Sequence, residues 1–310
     1  MRPFAEGNYV KMLFRLAATG SLLALVIAPV VVPLFAQQSA TRVHGLWLWK
    51  TAAVLAAPDS AAQVRDFCRE QGINEVYVSF SRAAGQDVGP QDARLADLIR
   101  TLHRSHIRAE ALLSSTDADE PGRHRDKLLQ HASAAIDFNR AHPGEAFDGI
   151  HLDIEPQQRP ENKGPGNLNF LPNLLETFAA VERLAVSAHL TVNADIQNKL
   201  LKGSLEQRRA LLTSLPRFTL MLYELSSPAD GQTTEQQEAK LRGAAENFLK
   251  MAYQGLPDAG LAKIAMGLRT PDYEEQLPHV LKALDEALGG DPEYLGWAWH
   301  SWNDHAGGRE

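Results

Sequence analysis

The sequence of 310 residues contains a single cysteine, Cys68, and an excess of acidic over basic side chains. A single cysteine can form neither an intrachain disulfide nor a multi-cysteine metal site. We expect this thiol to be buried on the core-facing side of a helix. The formal net charge of −7 argues against a nucleic-acid-binding surface, because such a surface needs clustered Lys and Arg. Neutral or polar substrates suit this chain better.

Several enzyme motifs are also missing. The sequence has no G-x-S-x-G elbow of a serine hydrolase, no phosphate-binding P-loop and no H-E-x-x-H zinc spacing. Four polar residues near its end, His300, Asn303, Asp304 and His305, have no recognised zinc spacing either. We therefore expect neither a metal ion nor another cofactor.

The first 36 residues have the layout of an export signal. Lys11 and Arg15 precede a largely apolar run over residues 16–36, and a polar stretch follows. Cleavage after Ala36 fits this layout, and an uncleaved membrane anchor is the alternative, because the run is nearly long enough to span a bilayer. We expect a signal peptide or anchor over 1–36, a short linker over 37–42, and an exported product that is periplasmic or secreted.

From residue 43 onward, short apolar runs alternate with longer segments of helical periodicity, which is typical of βα units around a parallel sheet. The eight apolar runs are 43–49, 73–80, 107–113, 147–155, 190–196, 218–224, 263–268 and 294–299. The helix candidates between them are 60–71, 91–105, 125–141, 168–188, 234–254 and 273–288. We predict an α/β fold, a (β/α)₈ TIM barrel over 43–310, with a short or missing last helix because only about ten residues follow the last run. An open doubly wound sheet is the alternative, but the Gly-rich turn expected after its first strand is absent.

The fourth apolar run places ionisable side chains on one face of a strand. His151, Asp153 and Glu155 share that face, and the aliphatic residues between them share the other. Two carboxylates at this spacing lie roughly 6 to 7 Å apart at their α-carbons, so their repulsion raises the pKa of one of them. Glu155, at the carboxyl end of the strand, is the natural general acid of a barrel enzyme. The alternative is a structural ion network in the barrel core.

Residues 148–155, Asp-Gly-Ile-His-Leu-Asp-Ile-Glu, resemble the D-G-x-D-x-D-x-E signature of glycoside hydrolase family 18, the chitinases and related endo-N-acetylglucosaminidases. His151 stands where that family has its first inner Asp, and we count it among the substrate-binding residues. The resemblance implies a TIM barrel in which Glu155 is the acid/base. It also implies that Asp153 orients the N-acetyl carbonyl of the substrate for attack on the anomeric carbon.

Two further segments resemble the same family. Residues 221–224, Met-Leu-Tyr-Glu, are similar to its M-x-Y-D segment, which implies that Tyr223 helps to hold the acetamido group and that Glu224 lies beside it. Residues 296–299, Gly-Trp-Ala-Trp, resemble its closing segment, whose Trp forms the floor of the sugar subsite. Trp299 is the candidate for that role. The S-x-G-G segment of the family is absent from strand three.

Four more residues at strand ends are candidates for substrate binding. Trp49 suits stacking on a sugar ring, and Asn193 and Asp195 share a face that suits binding of hydroxyl groups. Arg269 follows strand seven. The alternatives are core packing for Trp49, helix N-capping for Asp195 and an ion pair, for example with Glu224, for Arg269.

These features support three functional hypotheses. The first is an exported glycosidase acting on an oligo- or polysaccharide, with Glu155 as acid/base and the substrate's 2-acetamido carbonyl as nucleophile in a retaining, substrate-assisted reaction. The second pairs Glu155 with Glu224 as the protein nucleophile on a sugar without an N-acetyl group. The third is a non-catalytic carbohydrate-binding barrel. We expect a monomer that contacts a membrane only through its N-terminal segment.

Overall fold

The structure of the protein, a computed structural model, describes residues 42–80, 92–164, 166–223, 233–257, 260–269 and 276–305. The predicted export segment, the linker up to residue 41, and Glu224 lie outside these residues. In the described part, eight parallel strands close into a barrel in the order of the sequence. They are β1 (Val43–Leu48), β2 (Glu75–Ser79), β3 (Arg108–Ser115), β4 (Gly149–Ile154), β5 (Thr191–Gln197), β6 (Arg217–Met221), β7 (Lys263–Arg269) and β8 (Tyr294–His300). Each predicted run contributes one strand, so the predicted TIM barrel is confirmed.

Helices follow the strands and cover the outside of the barrel. They are α1 (Ser60–Glu70), α2 (Ala93–His103), α3 (Arg123–Ala141), α4 (Leu171–Val186), α5 (Leu205–Leu212), α6 (Thr234–Tyr253), α7 (Leu277–Leu288) and α8 (Trp302–His305). One further helical turn, Thr51–Val54, follows β1. The six predicted helices are present, and α8 is a single turn, as expected for a short last helix. The sequence analysis missed α5, which buries only Leu211 and Leu212 and so has little apolar periodicity. None of the described helices is long and apolar enough to cross a membrane.

Side chains of the strands divide between an outer core and the barrel lumen, because successive residues of a strand point to opposite faces. The outward side chains join the apolar faces of the helices in one large core, which also contains Cys68. Burial raises the pKa of the Cys68 thiol to about 12. The inward side chains include a smaller cluster of Trp47, Tyr77, Leu112 and Ala298.

A bulge in the pairing of β7 with β8 makes one glycine necessary. The register shifts between Ile264 and Ala265, and Gly296 on the partner strand has φ 137°, a conformation that residues with a side chain rarely adopt. A Cβ at Gly296 would also collide with the backbone carbonyl of Val43 on β1. Glycine therefore lets β8 approach β1 closely at the seam that closes the barrel.

Candidate active site

Two carboxyl groups lie together at the carboxyl end of β4, on its inward face. Asp153 is 6% exposed and accepts a hydrogen bond from Ser114 Oγ at 3.0 Å, while its Oδ1 is buried without a hydrogen-bond partner among the described residues. Burial, together with the charges of Asp195 and Glu155, raises the pKa of Asp153 well above its ordinary value. The side chain is therefore suited to hold a proton.

Glutamine amides surround the carboxylate of Glu155. Gln197 Nε2, at the end of β5, donates to Oε1 at 2.9 Å, Gln157 Nε2 donates to the same oxygen at 3.3 Å, and Gln158 donates to Oε2. Burial raises the pKa of Glu155, and these donors oppose that increase without cancelling it. Because Asp153 and Glu155 interact, they titrate as a pair, and at least one proton stays on the pair to a higher pH than on a free carboxyl.

Asp195, next to Asp153 in the lumen, links β4 to β1. Its Oδ1 lies 2.8 Å from His151 Nε2, and its Oδ2 accepts a hydrogen bond from Trp47 Nε1 at 3.0 Å. The His151 ring stacks on Tyr77 with 3.8 Å between ring centroids. Although burial alone lowers it, Asp195 and Glu110 raise the pKa of His151 to about 9. The structure thus places Asp195 within a strand and at the site, not at a helix N-cap.

An ion network forms the floor beneath these residues. Arg217 contacts both Glu75, at 2.9 Å, and Glu110, and Arg108 lies 3.2 Å from Glu75. Asn193 Nδ2 donates to both carboxylate oxygens of Glu110 at 3.0 Å and is 2% exposed. In spite of its burial, Arg217, His151 and Arg108 together hold the pKa of Glu110 at about 2. Asn193, predicted to bind hydroxyl groups of the substrate, is instead buried in this network.

Aromatic and cationic side chains occupy the opposite side of the barrel rim. Trp49 Nε1 donates to His300 Nε2 at 2.8 Å, so this histidine nitrogen carries a lone pair. The ring of Tyr223 lies 5.4 Å from that of His300, and the Arg269 guanidinium lies 5.7 Å from the Tyr223 centroid. Burial and the charges of the nearby carboxylates raise the pKa of Tyr223 well above its ordinary value, so its hydroxyl stays protonated.

The expected position of Trp299 in the sugar subsite is wrong. Trp299 is 4% exposed and belongs to the outer core, where its ring packs edge-on against Phe67 of α1 at 5.2 Å. The lumen near β7 and β8 is already filled by Trp47, which packs on Ala298 and leaves little room for a Cβ at Gly267. Small residues therefore face inward on these strands, and the large tryptophans of β8 face the helices.

The structure brings together Asp153, Glu155, Asp195, Tyr223 and Trp49 at one end of the barrel. It also adds residues that the sequence analysis did not select as site residues, namely Ser114, Gln157, Gln158, Gln197 and His300. Two of them continue an inward alternation that the sequence shows, since Gln197 follows Asp195 by two residues and His300 follows Ala298. Glu224 lies outside the described residues. Within the described part, no group of three or more His, Cys, Asp or Glu side chains converges as a metal site would require.

No protein-family model and no curated protein matches this sequence. Solved structures do resemble it in fold. The PgaB (BpsB) glycoside hydrolase domain from Bordetella bronchiseptica aligns with a TM-score of 0.52 and 13% identity over 86% of this chain and 95% of that domain. A chitinase from Bacteroides thetaiotaomicron aligns with a TM-score of 0.50 and 14% identity over 84% of this chain and 89% of that enzyme. The chain therefore has the barrel fold of these two proteins, which is the fold that its resemblance to glycoside hydrolase family 18 implies.

Proposed function

We propose that the protein is a glycoside hydrolase with Glu155 as its general acid and base. The observation that carries this proposal is the coupled pair of Asp153 and Glu155 at the carboxyl end of β4, both with raised pKa. Active sites of TIM barrels form at this end of the strands, and a carboxyl that keeps its proton can donate it to a leaving glycosidic oxygen. The fold shared with a chitinase and a second glycoside hydrolase agrees with this reaction class.

The proposed reaction uses the substrate's own 2-acetamido group as nucleophile. The acetamido carbonyl oxygen bonds to the anomeric carbon as the glycosidic bond breaks, and Glu155 gives its proton to the departing oxygen. Water then attacks the anomeric carbon from the face opposite the acetamido oxygen, the bond between that oxygen and the anomeric carbon breaks, and Glu155 takes a proton from the water, so that configuration is retained. Tyr223, which keeps its hydroxyl proton, donates to the acetamido group, and Asp153 orients that group and balances the charge that develops on it.

The proposed substrate is an oligo- or polysaccharide, with Trp49 as the aromatic surface on which a sugar ring stacks. Arg269 at the rim and Asp195 in the lumen beside Asp153 are further proposed contacts. We also propose that the protein is exported as a monomer, with residues 1–36 as its signal or anchor. No nucleic acid or cofactor enters this proposal.

The test is release of reducing ends from a panel of polysaccharides by the wild type, Glu155→Gln and the control Glu246→Gln, an exposed position on α6. We expect turnover by the wild type and the control and none by Glu155→Gln. Equal glycan binding by all three proteins without any turnover would instead indicate a carbohydrate-binding barrel.

A thiazoline inhibitor separates the two enzymatic mechanisms, because it mimics the cyclised acetamido intermediate. Tight inhibition supports participation of the substrate. An active enzyme that this inhibitor does not affect would instead indicate a protein nucleophile such as Glu224.

A further inference from the structure

His151 is enclosed in the lumen directly below the proposed catalytic pair. It is 1% exposed, and one face of its ring stacks on Tyr77. Nε2 lies 2.8 Å from Asp195 Oδ1, and Nδ1 lies 3.5 Å from Glu110 Oε2. Both ring nitrogens therefore face carboxylate oxygens, from β5 on one side and from β3 on the other.

This arrangement selects the protonation state of the imidazole. A neutral imidazole has one N–H, so one of its nitrogens would direct a lone pair at a carboxylate oxygen, which is repulsive. An imidazolium donates an N–H to Asp195 at hydrogen-bond distance, and it places the positively charged Nδ1 3.5 Å from Glu110, within ion-pair distance although not hydrogen-bonded. The doubly protonated ring therefore suits both neighbours better than a neutral one.

The surrounding charges support the same assignment. On the floor, Arg108 and Arg217 offset the charges of Glu75 and Glu110. Glu110 also faces His151, in addition to its contact with Arg217. Toward the rim, His151 is the only basic side chain in contact with Asp195 among the described residues.

We propose that His151 is an imidazolium at neutral pH, held between Glu110 and Asp195, and that it is a positioning residue whose positive charge below the site leaves Asp153 and Glu155 to share one proton. Its catalytic consequence rests on the proposed glycosidase function. The charge assignment itself does not.

The groups that face His151 determine its titration. Tyr77 on β2 and Trp47 on β1 are neutral, and the Trp47 ring also contacts His300 on β8. The carboxylates are Glu110 on β3, Asp195 on β5 and Asp153 on its own strand, and Arg217 on β6 lies behind Glu110. Together the carboxylates outweigh burial, in agreement with a pKa of His151 of about 9.

The first experiment measures the protonation of His151 directly in the full chain, by nitrogen-15 NMR of labelled histidine with His151→Gln for assignment. We expect both ring nitrogens of His151 in the wild type to carry a proton at pH 7, and the ring to lose one of these protons near pH 9. A neutral His151 at pH 7 in the wild type would overturn the proposal, regardless of the pKa values or activities of the variants.

The floor network provides a matched pair of variants for the same measurement. Glu110 and Glu75 both contact Arg217, but only Glu110 faces His151. We expect Glu110→Gln to lower the pKa of His151 by about 1 to 3 units, as for loss of an opposite charge nearby, and Glu75→Gln to lower it clearly less. Equal decreases would contradict the role assigned to Glu110.

The second experiment is the pH profile of kcat/KM for the wild type and His151→Gln. Loss of a neighbouring cation raises the pKa of the Asp153 and Glu155 pair, so both limbs should move to higher pH by about 1 unit. A lower kcat with unmoved limbs would indicate a merely structural role for His151. An imidazolium in a chain without any glycan turnover would instead refute the proposed function while leaving the charge assignment intact.

Discussion

Replacing Gln197 by methionine tests whether amide donors tune the acid/base. Gln197 Nε2 donates to Glu155 Oε1 at 2.9 Å, and methionine has a similar length but no N–H donor. A hydrogen bond to a charged group contributes about 1.5 to 3 kcal/mol, of which we take half because Glu155 is only partly buried and water replaces some of the lost donor. One pKa unit corresponds to about 1.36 kcal/mol, so the pKa of Glu155 should rise by about 0.5 to 1 unit.

The assay is the pH dependence of kcat/KM, whose basic limb reports loss of the last proton from the Asp153 and Glu155 pair. The variant's basic limb should move to higher pH by the amount given above. Gln157→Met is the graded control, since its donor lies 3.3 Å from the same oxygen and should produce a smaller shift. A basic limb that stays in place or moves to lower pH in Gln197→Met would refute the reasoning.

Three further predictions concern stability, measured by urea or thermal unfolding. Gly296→Ala should lower the free energy of unfolding by roughly 3 kcal/mol or more, because it combines a strained φ with a backbone collision. Gly243→Ala on α6, with open space around it, should raise that free energy by about 0.5 to 1 kcal/mol. Equal effects of the two substitutions would contradict the account of the bulge. Arg159 lies 2.9 Å from the carboxylate of Asp119, whose side chain is 2% exposed, so Arg159→Met should lower the free energy of unfolding by about 3 kcal/mol because it leaves that carboxylate unpaired. Arg140→Met, which removes an exposed pair with Asp137, should lower it by under about 1 kcal/mol. Folding lowers the pKa of Glu110 from 4.5 to about 2, so the ionised carboxylate stabilises the fold fully at pH values above its pKa in the unfolded chain. The Tm should therefore fall as pH decreases from 4.5 towards 2, and it should fall less steeply in Glu110→Gln.

The position of the proposed acid pair was predictable because it depends on one strand. Alternation along β4 puts Asp153 and Glu155 on one face, and parallel strands in a closed barrel bring that face into the lumen. The neighbours of the pair were not predictable in the same way. Ser114 and Asp195 come from other strands, and their contacts depend on how the strands are paired and staggered.

Trp299 shows where alternation alone fails. The pattern of β8 separates two tryptophans from Gly296 and Ala298, but it does not state which set points inward. That choice depends on the space left by Trp47, which comes from another strand and fills the lumen. His300 shares the inward-facing side of β8 with Ala298, so it can be assigned to the site only once the direction of that side is known.

The sequence by itself determined the eight strands, most of the helices and the acidic face of β4, since these depend on local periodicity and on residues close together in the chain. Only the tertiary structure decided which face of β8 looks inward, that Asn193 belongs to the floor, and that both nitrogens of His151 meet carboxylates. The reason is physical. A side chain's burial, partners and pKa are set by groups from distant strands, and only closure of the barrel brings those groups within contact distance.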